Sequence, residues 1–134
     1  MTRVVADTHT LLWLSFAPHR LSLTAKRFLD DALQSGGGVS VSAISLVEVV
    51  YLEEKRRIAS GTCEMLRDII SLTRSGIQIL PLDAMIARRM EEVPRSIIPD
   101  MPDRIIAATA LHLNLPLITR DAKIRTLSTI QSIW

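Results

Sequence analysis

The segment 98–121, IPDMPDRIIAATALHLNLPLITRD, constrains the fold of this chain more than any other part of the sequence. It begins with two acids separated by a Met–Pro pair, continues as an apolar, alanine-rich run that predicts a helix, and turns at Asn114. A short strand, 117–119, follows and is closed by a third acid, Asp121. In a right-handed parallel β/α arrangement, strand ends and helix starts share one edge of the sheet. The segment therefore predicts acids gathered along one edge of a parallel sheet.

Length and composition predict a single domain, 1–134, with an aliphatic core. A chain of 134 residues can build one core but not two. Hydrophobic residues make up 48% of the chain and aromatic residues only 4%, so Leu, Ile, Val and Ala must form the interior. This composition is typical of a parallel sheet covered by helices. We therefore predict an α/β fold with three layers, in which a central parallel sheet is flanked by helices on both faces.

No segment that crosses or is exported through a membrane is expected. The apolar runs are all shorter than the roughly 18 residues that suggest a membrane span. The first ten residues, MTRVVADTHT, lack the charged and apolar regions of a signal peptide. The single cysteine, Cys63, cannot form an internal disulfide. These features predict a cytoplasmic protein with no membrane partner.

Predicted strands and helices alternate along the whole chain, as a parallel sheet requires. The strands are placed at 3–6, 39–42, 77–80, 117–119 and 129–133, the last at a sheet edge. The helices are placed at 8–14, 22–33, 43–54, 60–73, 84–93, 102–113 and 122–127. Glycines at 36–38 and at 76 are expected to end the second and fourth of these helices.

Three aspartates are predicted to lie at this edge of the sheet. Asp7 follows the first strand, Asp103 follows Pro102 in the first turn of a helix, and Asp121 follows the strand 117–119. Each could simply cap a helix, a role that stabilises a protein by roughly 0.5 to 2 kcal/mol. Taken singly, each is more simply explained as a cap, and it is their combination that predicts a site.

Glu48 is the fourth candidate, and it lies more than one turn inside its helix. Its neighbours in that helix are mostly apolar, namely Ile44, Leu46, Val47, Val49, Val50, Tyr51 and Leu52. An unpaired buried charge costs several kcal/mol, so we expect Glu48 to be buried with a cation beside it. That cation could be a metal ion or an arginine such as Arg104.

Carboxylates that converge repel one another unless cations lie between them. Oxygen donors without a cluster of Cys or His favour Mg²⁺ or Mn²⁺, and the scattered histidines predict no zinc site. If four of the 14 acidic side chains belong to this site, the rest of the chain carries 10 acidic and 16 basic side chains. That surplus suits a polyanionic partner, although an ordinary solvated surface explains it equally well.

The chain resembles the PIN-domain proteins, and among them the toxin ribonucleases of the VapC type. The resemblance rests on four motifs in the family's order, which are VVADTHTLLW at 4–13, SAISLVE at 42–48, DMPDRIIAATA at 100–110 and LITRD at 117–121. Together these motifs span nearly the whole chain. The resemblance implies an endoribonuclease that requires Mg²⁺ or Mn²⁺ and hydrolyses RNA phosphodiester bonds with an activated water.

The resemblance also assigns roles to individual residues. The catalytic and metal-binding acids would be Asp7, Glu48, Asp103 and Asp121. Supporting roles beside them would fall to Thr8, Thr119 and Asp100, and the substrate phosphates could be bound by Arg104 and Arg120. The family further implies a homodimer and a cognate antitoxin protein whose tail covers the acidic pocket. With so few aromatic residues, base stacking is expected to contribute little to substrate choice.

Two alternatives stay open at this point. The first is a catalytically inactive PIN-like scaffold that binds RNA or protein, which the presence of all four acids disfavours. The second is a receiver-like regulatory domain. Such a domain would need an acidic pair after the first strand and a lysine after the last, whereas Asp7 is followed by Thr8 and Lys123 is poorly placed.

Overall fold

Five short parallel strands form the centre of the computed structural model, which describes all residues from 1 to 134. The strands are β1 (Val4–Ala6), β2 (Val39–Ser42), β3 (Ile77–Leu80), β4 (Leu117–Ile118) and β5 (Ser132–Ile133). Their order in the sheet is β3-β2-β1-β4-β5, and every neighbouring pair is parallel. The chain therefore winds outward from β1 in one direction and then returns to wind outward in the other.

This strand order decides two points. A receiver-like domain has the order 2-1-3-4-5, so the sheet observed here excludes that alternative. The reversal of winding also opens a crevice beyond the carboxyl ends of β1 and β4, where open α/β sheets bind ligands.

Seven α-helices cover the sheet. They are α1 (Thr8–Phe16), α2 (Leu23–Ser35), α3 (Ala43–Glu54), α4 (Thr62–Ser71), α5 (Ala84–Arg89), α6 (Met101–Leu113) and α7 (Ala122–Arg125). Short 3₁₀ turns at Pro18–Arg20 and Met90–Glu92 follow α1 and α5. None of the helices combines the length and apolarity needed to cross a membrane.

The sequence placed every strand and helix, and the differences lie at element ends. The helix predicted at 84–93 is α-helical only to Arg89 and then tightens into a 3₁₀ turn. Pro94 explains this, because the residue before a proline avoids the helical region, and Val93 is extended (φ −108°, ψ 101°). The helix predicted from Ser60 begins at Thr62, after Gly61 in the left-handed region (φ 90°). The last helix and strand are shorter than predicted.

The alternation of side chains along β1 divides the core into two halves. Val4 and Ala6 face one side, where they pack with residues of α1, α2, α3 and α4, including Leu11, Leu29, Val49 and Leu66. Val5 faces the other side and packs with residues of α5, α6 and α7, including Ile86, Ile106, Ala110 and Ile124. The predicted three-layer α/β arrangement with a parallel central sheet is confirmed.

The turn from α2 into β2 depends on glycine. Gly36 caps α2 in the left-handed region (φ 82°), and Gly38 is also left-handed (φ 85°). The Gly38 N–H donates to the carbonyl of Ala32, and Val39 N–H donates to the carbonyl of Gly76, each at 2.8 Å. A Cβ on Gly38 would lie 2.8 Å from that Gly76 oxygen, which is closer than such atoms can approach.

We predict that Gly38→Ala lowers the free energy of unfolding by about 3 kcal/mol, since the variant meets both an unfavourable φ and a backbone clash. The matched control is Gly61→Ala, whose φ is also positive but whose added Cβ has no heavy atom within 4 Å. The control should lose only about 1 kcal/mol in urea unfolding. Equal losses in the two variants would show that close packing at Gly38 does not matter.

Candidate metal-binding cavity

An acidic cavity of about 500 Å³ lies where the crevice was expected, beyond the carboxyl ends of β1 and β4. Nine residues line it, namely Asp7, Thr8, His9, Trp13, Glu48, Asp100, Asp103, Arg120 and Asp121. Five of the nine are acids, and they include all four acids singled out in the sequence. The fold thus brings together side chains from four separate segments of the chain.

Each aspartate reaches the cavity because it starts a helix at this edge. Asp7 caps α1 directly after β1, Asp121 caps α7 after β4, and Asp100 caps α6. Asp103 lies in the first turn of α6, and its backbone N–H donates to Asp100 Oδ1 at 3.1 Å. The capping role foreseen for Asp7 and Asp121 is therefore real, and these capping residues also line the cavity.

Asp7 is held by donors on both carboxylate oxygens. Oδ1 accepts a hydrogen bond from the Thr10 N–H at 2.8 Å, and Oδ2 accepts one from the Thr119 hydroxyl at 2.5 Å. The Thr119 oxygen in turn accepts the Asp121 N–H at 3.0 Å. Thr119 is fully buried, so this link between the two acids is shielded from water. Each Asp7 oxygen has a second lone pair that remains available to a cation.

Glu48 is oriented by Thr8. The Thr8 hydroxyl donates to Glu48 Oε1 at 2.5 Å, and its oxygen lies 2.9 Å from the Ser45 hydroxyl, with which it shares a hydrogen bond. Burial raises the pKa of Glu48 above its usual 4.5, and the charges of Asp100 and Asp7 raise it further, while the Thr8 hydrogen bond opposes them. Thr8 therefore stabilises the ionised form of Glu48, which burial and the neighbouring acids disfavour.

One expectation about Glu48 is wrong, and one of the two alternatives for its cation is excluded. The side chain is half-buried rather than enclosed, because α3 packs through Ser45 and Val49 while its outer face, with Val50, is exposed. No arginine pairs with it either. The Arg104 guanidinium instead donates to the backbone carbonyls of Met90 and Val93, at 2.8 and 3.1 Å.

The Arg104 side chain therefore binds the backbone and not Glu48. The Met90 carbonyl already accepts the Val93 N–H in the 3₁₀ turn after α5, and Arg104 on α6 adds a second hydrogen bond to it and one to the Val93 carbonyl. Since its Nε and Nη2 donate to the backbone and it does not line the cavity, we withdraw Arg104 as a phosphate contact. Arg120, the other predicted contact, lines the cavity, is exposed, and takes part in neither of the two ion pairs of the structure.

Among the acids of the cavity, Asp103 has the most strongly raised pKa. Its pKa is raised from 3.8 to about 7, with burial as the largest cause. The other causes are the negative charges of Asp100, Asp121, Glu48 and Asp7. The carboxylate of Asp103 accepts no hydrogen bond from the protein, so nothing offsets this repulsion. Near neutral pH the cavity thus holds more negative charge than its own residues can balance, and a cation would relieve it.

The donors are all oxygens, which suits Mg²⁺ or Mn²⁺. In the arrangement observed, no three of the Asp, Glu, His and Cys side chains are close enough together to surround one ion. Holding an ion therefore requires carboxylates to rotate toward each other. Asp103, which has no hydrogen bond to lose, is the acid most free to do so.

Two residues of the cavity were not foreseen as site residues, His9 and Trp13. They are spaced i, i+4 on α1, directly after Asp7, so their side chains share the helix face that begins at the site. The i, i+4 spacing could have identified these two residues as part of the site, but it is equally typical of a helix face that packs into the core.

We predict that Asp103→Asn stabilises the protein in the presence of chelator at pH 7.5 by about 1–2 kcal/mol, allowing for solvent screening of this half-exposed group. Because the folded-state pKa is raised, the stability that Asp103 contributes is complete below about pH 4 and is lost as the pH rises through about 7. The advantage of the asparagine should therefore disappear at pH 4 in urea unfolding. Asp83→Asn, which changes a cap of α5 outside the cavity, serves as the control and should not be more stable than the parent at pH 7.5. An Asp103→Asn variant no more stable than the parent at pH 7.5 would contradict the repulsion described here.

Known proteins resemble this chain both in fold and, for one relative, in sequence over most of its length. The model of the PIN domain family matches residues 4–129. Ribonuclease VapC22 of Mycobacterium tuberculosis is 32% identical over 128 residues, which cover 94% of this chain and 92% of that protein. VapBC from Salmonella typhimurium bound to DNA has a similar structure, with a TM-score of 0.70 at 18% identity, covering 98% of this chain and 97% of that one. VapBC2 from Rickettsia felis bound to a promoter DNA fragment gives a TM-score of 0.68 at 16% identity, with coverages of 97% and 96%. With its strand order, its acidic edge and a family match over nearly its whole length, this chain belongs to the PIN domain family.

Proposed function

We propose that this protein is an endoribonuclease dependent on Mg²⁺ or Mn²⁺, and that it is the toxin of a toxin–antitoxin pair. The observation that carries the proposal is the single cavity lined by five carboxylates, in which burial and the charges of the other four raise the pKa of Asp103 to about 7. A purely structural set of helix caps would have no reason to converge at such an electrostatic cost. The similarity to a protein named as a ribonuclease supports this choice of activity.

In this proposal four acids hold the metal. Asp7 and Asp103 are the direct ligands, and Glu48 and Asp121 complete the set, after the rotation of side chains described above. Asp100, which caps α6, has a supporting role outside this set. Thr119 keeps Asp7 oriented and Thr8 keeps Glu48 oriented.

When bound, the divalent ion supplies an electrophile that makes a water more acidic and offsets negative charge on the phosphate. The side chains of the protein position the RNA next to this ion. Arg120, which is exposed and has no ion-pair partner, binds a phosphate of the RNA next to the acids. No serine or cysteine lines the cavity, so the proposed hydrolysis uses water as the nucleophile.

An apolar groove next to the acidic cavity supports the proposed antitoxin. This groove has a volume of about 570 Å³ and is formed by α1, the ends of α3 and α4, and the loop between them. Its apolar lining includes Leu12, Phe16, Leu52, Ile58 and Met65, and it shares His9 and Trp13 with the acidic cavity. An antitoxin segment bound in the groove would reach the acids directly, in keeping with a tail that covers them.

The homodimer expected from the family is also part of the proposal. Exposed apolar side chains on α5 and at the start of α6, Met85 and Met101, offer a surface for a second copy. The cytoplasmic location expected from the sequence belongs here as well, because the proposed substrate is cellular RNA.

We predict that the purified chain cuts cellular RNA with Mg²⁺ or Mn²⁺ and not with chelator, and that Asp7→Asn lowers the rate by more than about 100-fold. Asparagine can still accept the Thr10 N–H, so the cap of α1 survives while the charge is lost. Asp83→Asn is the matched control, since Asp83 caps α5 in the same way, accepting the Ile86 N–H at 2.9 Å, outside the cavity. Gel analysis should show full activity in that control. If the parent chain binds RNA and cuts none of it under these conditions, the inactive scaffold becomes the better account.

The proposed role as a toxin has a separate expected outcome. Induced expression of the chain in a bacterial host should arrest growth, and Asp7→Asn expressed to the same level should not. Asp83→Asn should arrest growth as the parent does. Equal growth of the parent and Asp7→Asn at equal protein levels would argue against the toxin, even if RNA is cut in vitro.

A further inference from the structure

Trp13 is the one apolar side chain among the nine that line the acidic cavity. It lies on α1 at the border between the acidic cavity and the apolar groove, and it lines both. The side chain is half-buried and packs at the edge of the core. An indole beside five carboxylates is not explained by metal binding, since it offers no ligand to a metal ion.

The Trp13 ring is fixed by other rings. The His9 ring lies 5.6 Å from it with an interplanar angle of 47°, and the Trp134 ring lies 5.6 Å from it at 57°. Trp134 follows β5, the strand paired with β4, so the end of the chain packs against the helix that Asp7 begins. Tilted aromatic pairs at this spacing attract one another. The indole is therefore held in place before any ligand arrives.

A cation that forms no ion pair lies over this ring. The Arg120 guanidinium carbon lies 5.9 Å from the centre of the Trp13 ring, within the range of a cation–π interaction. Although Arg120 precedes Asp121 and faces a cavity with five acids, it forms no ion pair with any of them. An aromatic ring and a neighbouring guanidinium that forms no ion pair match the two halves of a nucleotide, its base and its phosphate.

We propose that Trp13 binds a nucleobase of the RNA by stacking, next to the phosphate held by Arg120. This inference rests on the proposed nuclease function and adds to it a site that selects unpaired nucleotides, since a base inside a duplex has no free face to offer. It reverses the expectation that stacking contributes little. The number of aromatic residues is small, but one of the two tryptophans of the chain lines this cavity and the other packs against it.

The test compares ligands that differ only in the base. Binding of AMP, GMP, CMP and UMP to the full chain in Mg²⁺ is measured by NMR titration beside binding of ribose 5-phosphate, which has the sugar and phosphate alone. We expect at least one nucleotide to bind about fivefold tighter or more than ribose 5-phosphate. Trp13→Ala should abolish this difference, because it removes the ring that contacts the base, and Trp13→Phe should retain part of it.

The matched control is Tyr51→Ala. Tyr51 also has a cation over its ring, with Lys55 Nζ at 5.8 Å, but it lies on the exposed face of α3 outside the cavity. This control should bind nucleotides as the parent does.

A second readout does not depend on removing Trp13. In Trp134→Phe, Trp13 is the only tryptophan left, and its fluorescence should be quenched by the preferred nucleotide and not by ribose 5-phosphate.

Equal affinities for the nucleotides and ribose 5-phosphate, or an unquenched Trp13, would overturn the proposal. A Trp13→Ala variant that keeps the preference for the base would also overturn it, and would leave Trp13 to the apolar groove and its protein partner. These outcomes are separate from those of the cleavage assay. A chain that cuts RNA without a base preference loses only this inference, whereas a chain that stacks a base and cuts nothing keeps it and loses the nuclease.

Discussion

Repulsion among carboxylates at one edge of the sheet is the constraint on which the site depends. Five acids line one cavity. The carboxylate of Asp103 accepts no hydrogen bond, and burial and the neighbouring acids raise its pKa to about 7. The fold tolerates this because the other acids are held by local donors. Asp7 accepts hydrogen bonds on both oxygens, and Glu48 accepts one from Thr8. These contacts fix the acids close together and leave a cation as the natural means of balancing them.

The same aspartates serve the fold and the site. Asp7 and Asp121 cap α1 and α7, so each satisfies helix N–H groups while it presents a carboxylate to the cavity. A parallel sheet makes this combination possible because its strands end, and its helices begin, along one edge. The alternation of strand and helix therefore determines where the acids meet, and the cap geometry determines how they are held.

Much of this could be predicted from sequence, because the signals are local. The boundaries of β2, β3 and α3 were placed correctly, since glycines and a serine cap mark them. The convergence of the acids followed from the parallel sheet alone. What could not be predicted depends on tertiary contacts. Arg104 donates to two backbone carbonyls at the 3₁₀ turn after α5, and Trp13, which lines the cavity from α1, packs against Trp134, which is distant in the sequence.

The most direct test of the account is the titration of the Asp103 side chain, followed by ¹³C NMR of its carboxyl carbon with chelator and again with Mg²⁺. The account predicts a midpoint near pH 7 without metal, as the raised pKa requires. With Mg²⁺ the midpoint should fall by about one unit or more, because a bound cation favours the ionised carboxylate. A midpoint near 4 under both conditions would contradict the account, since it would mean that the acids neither repel one another nor share a cation.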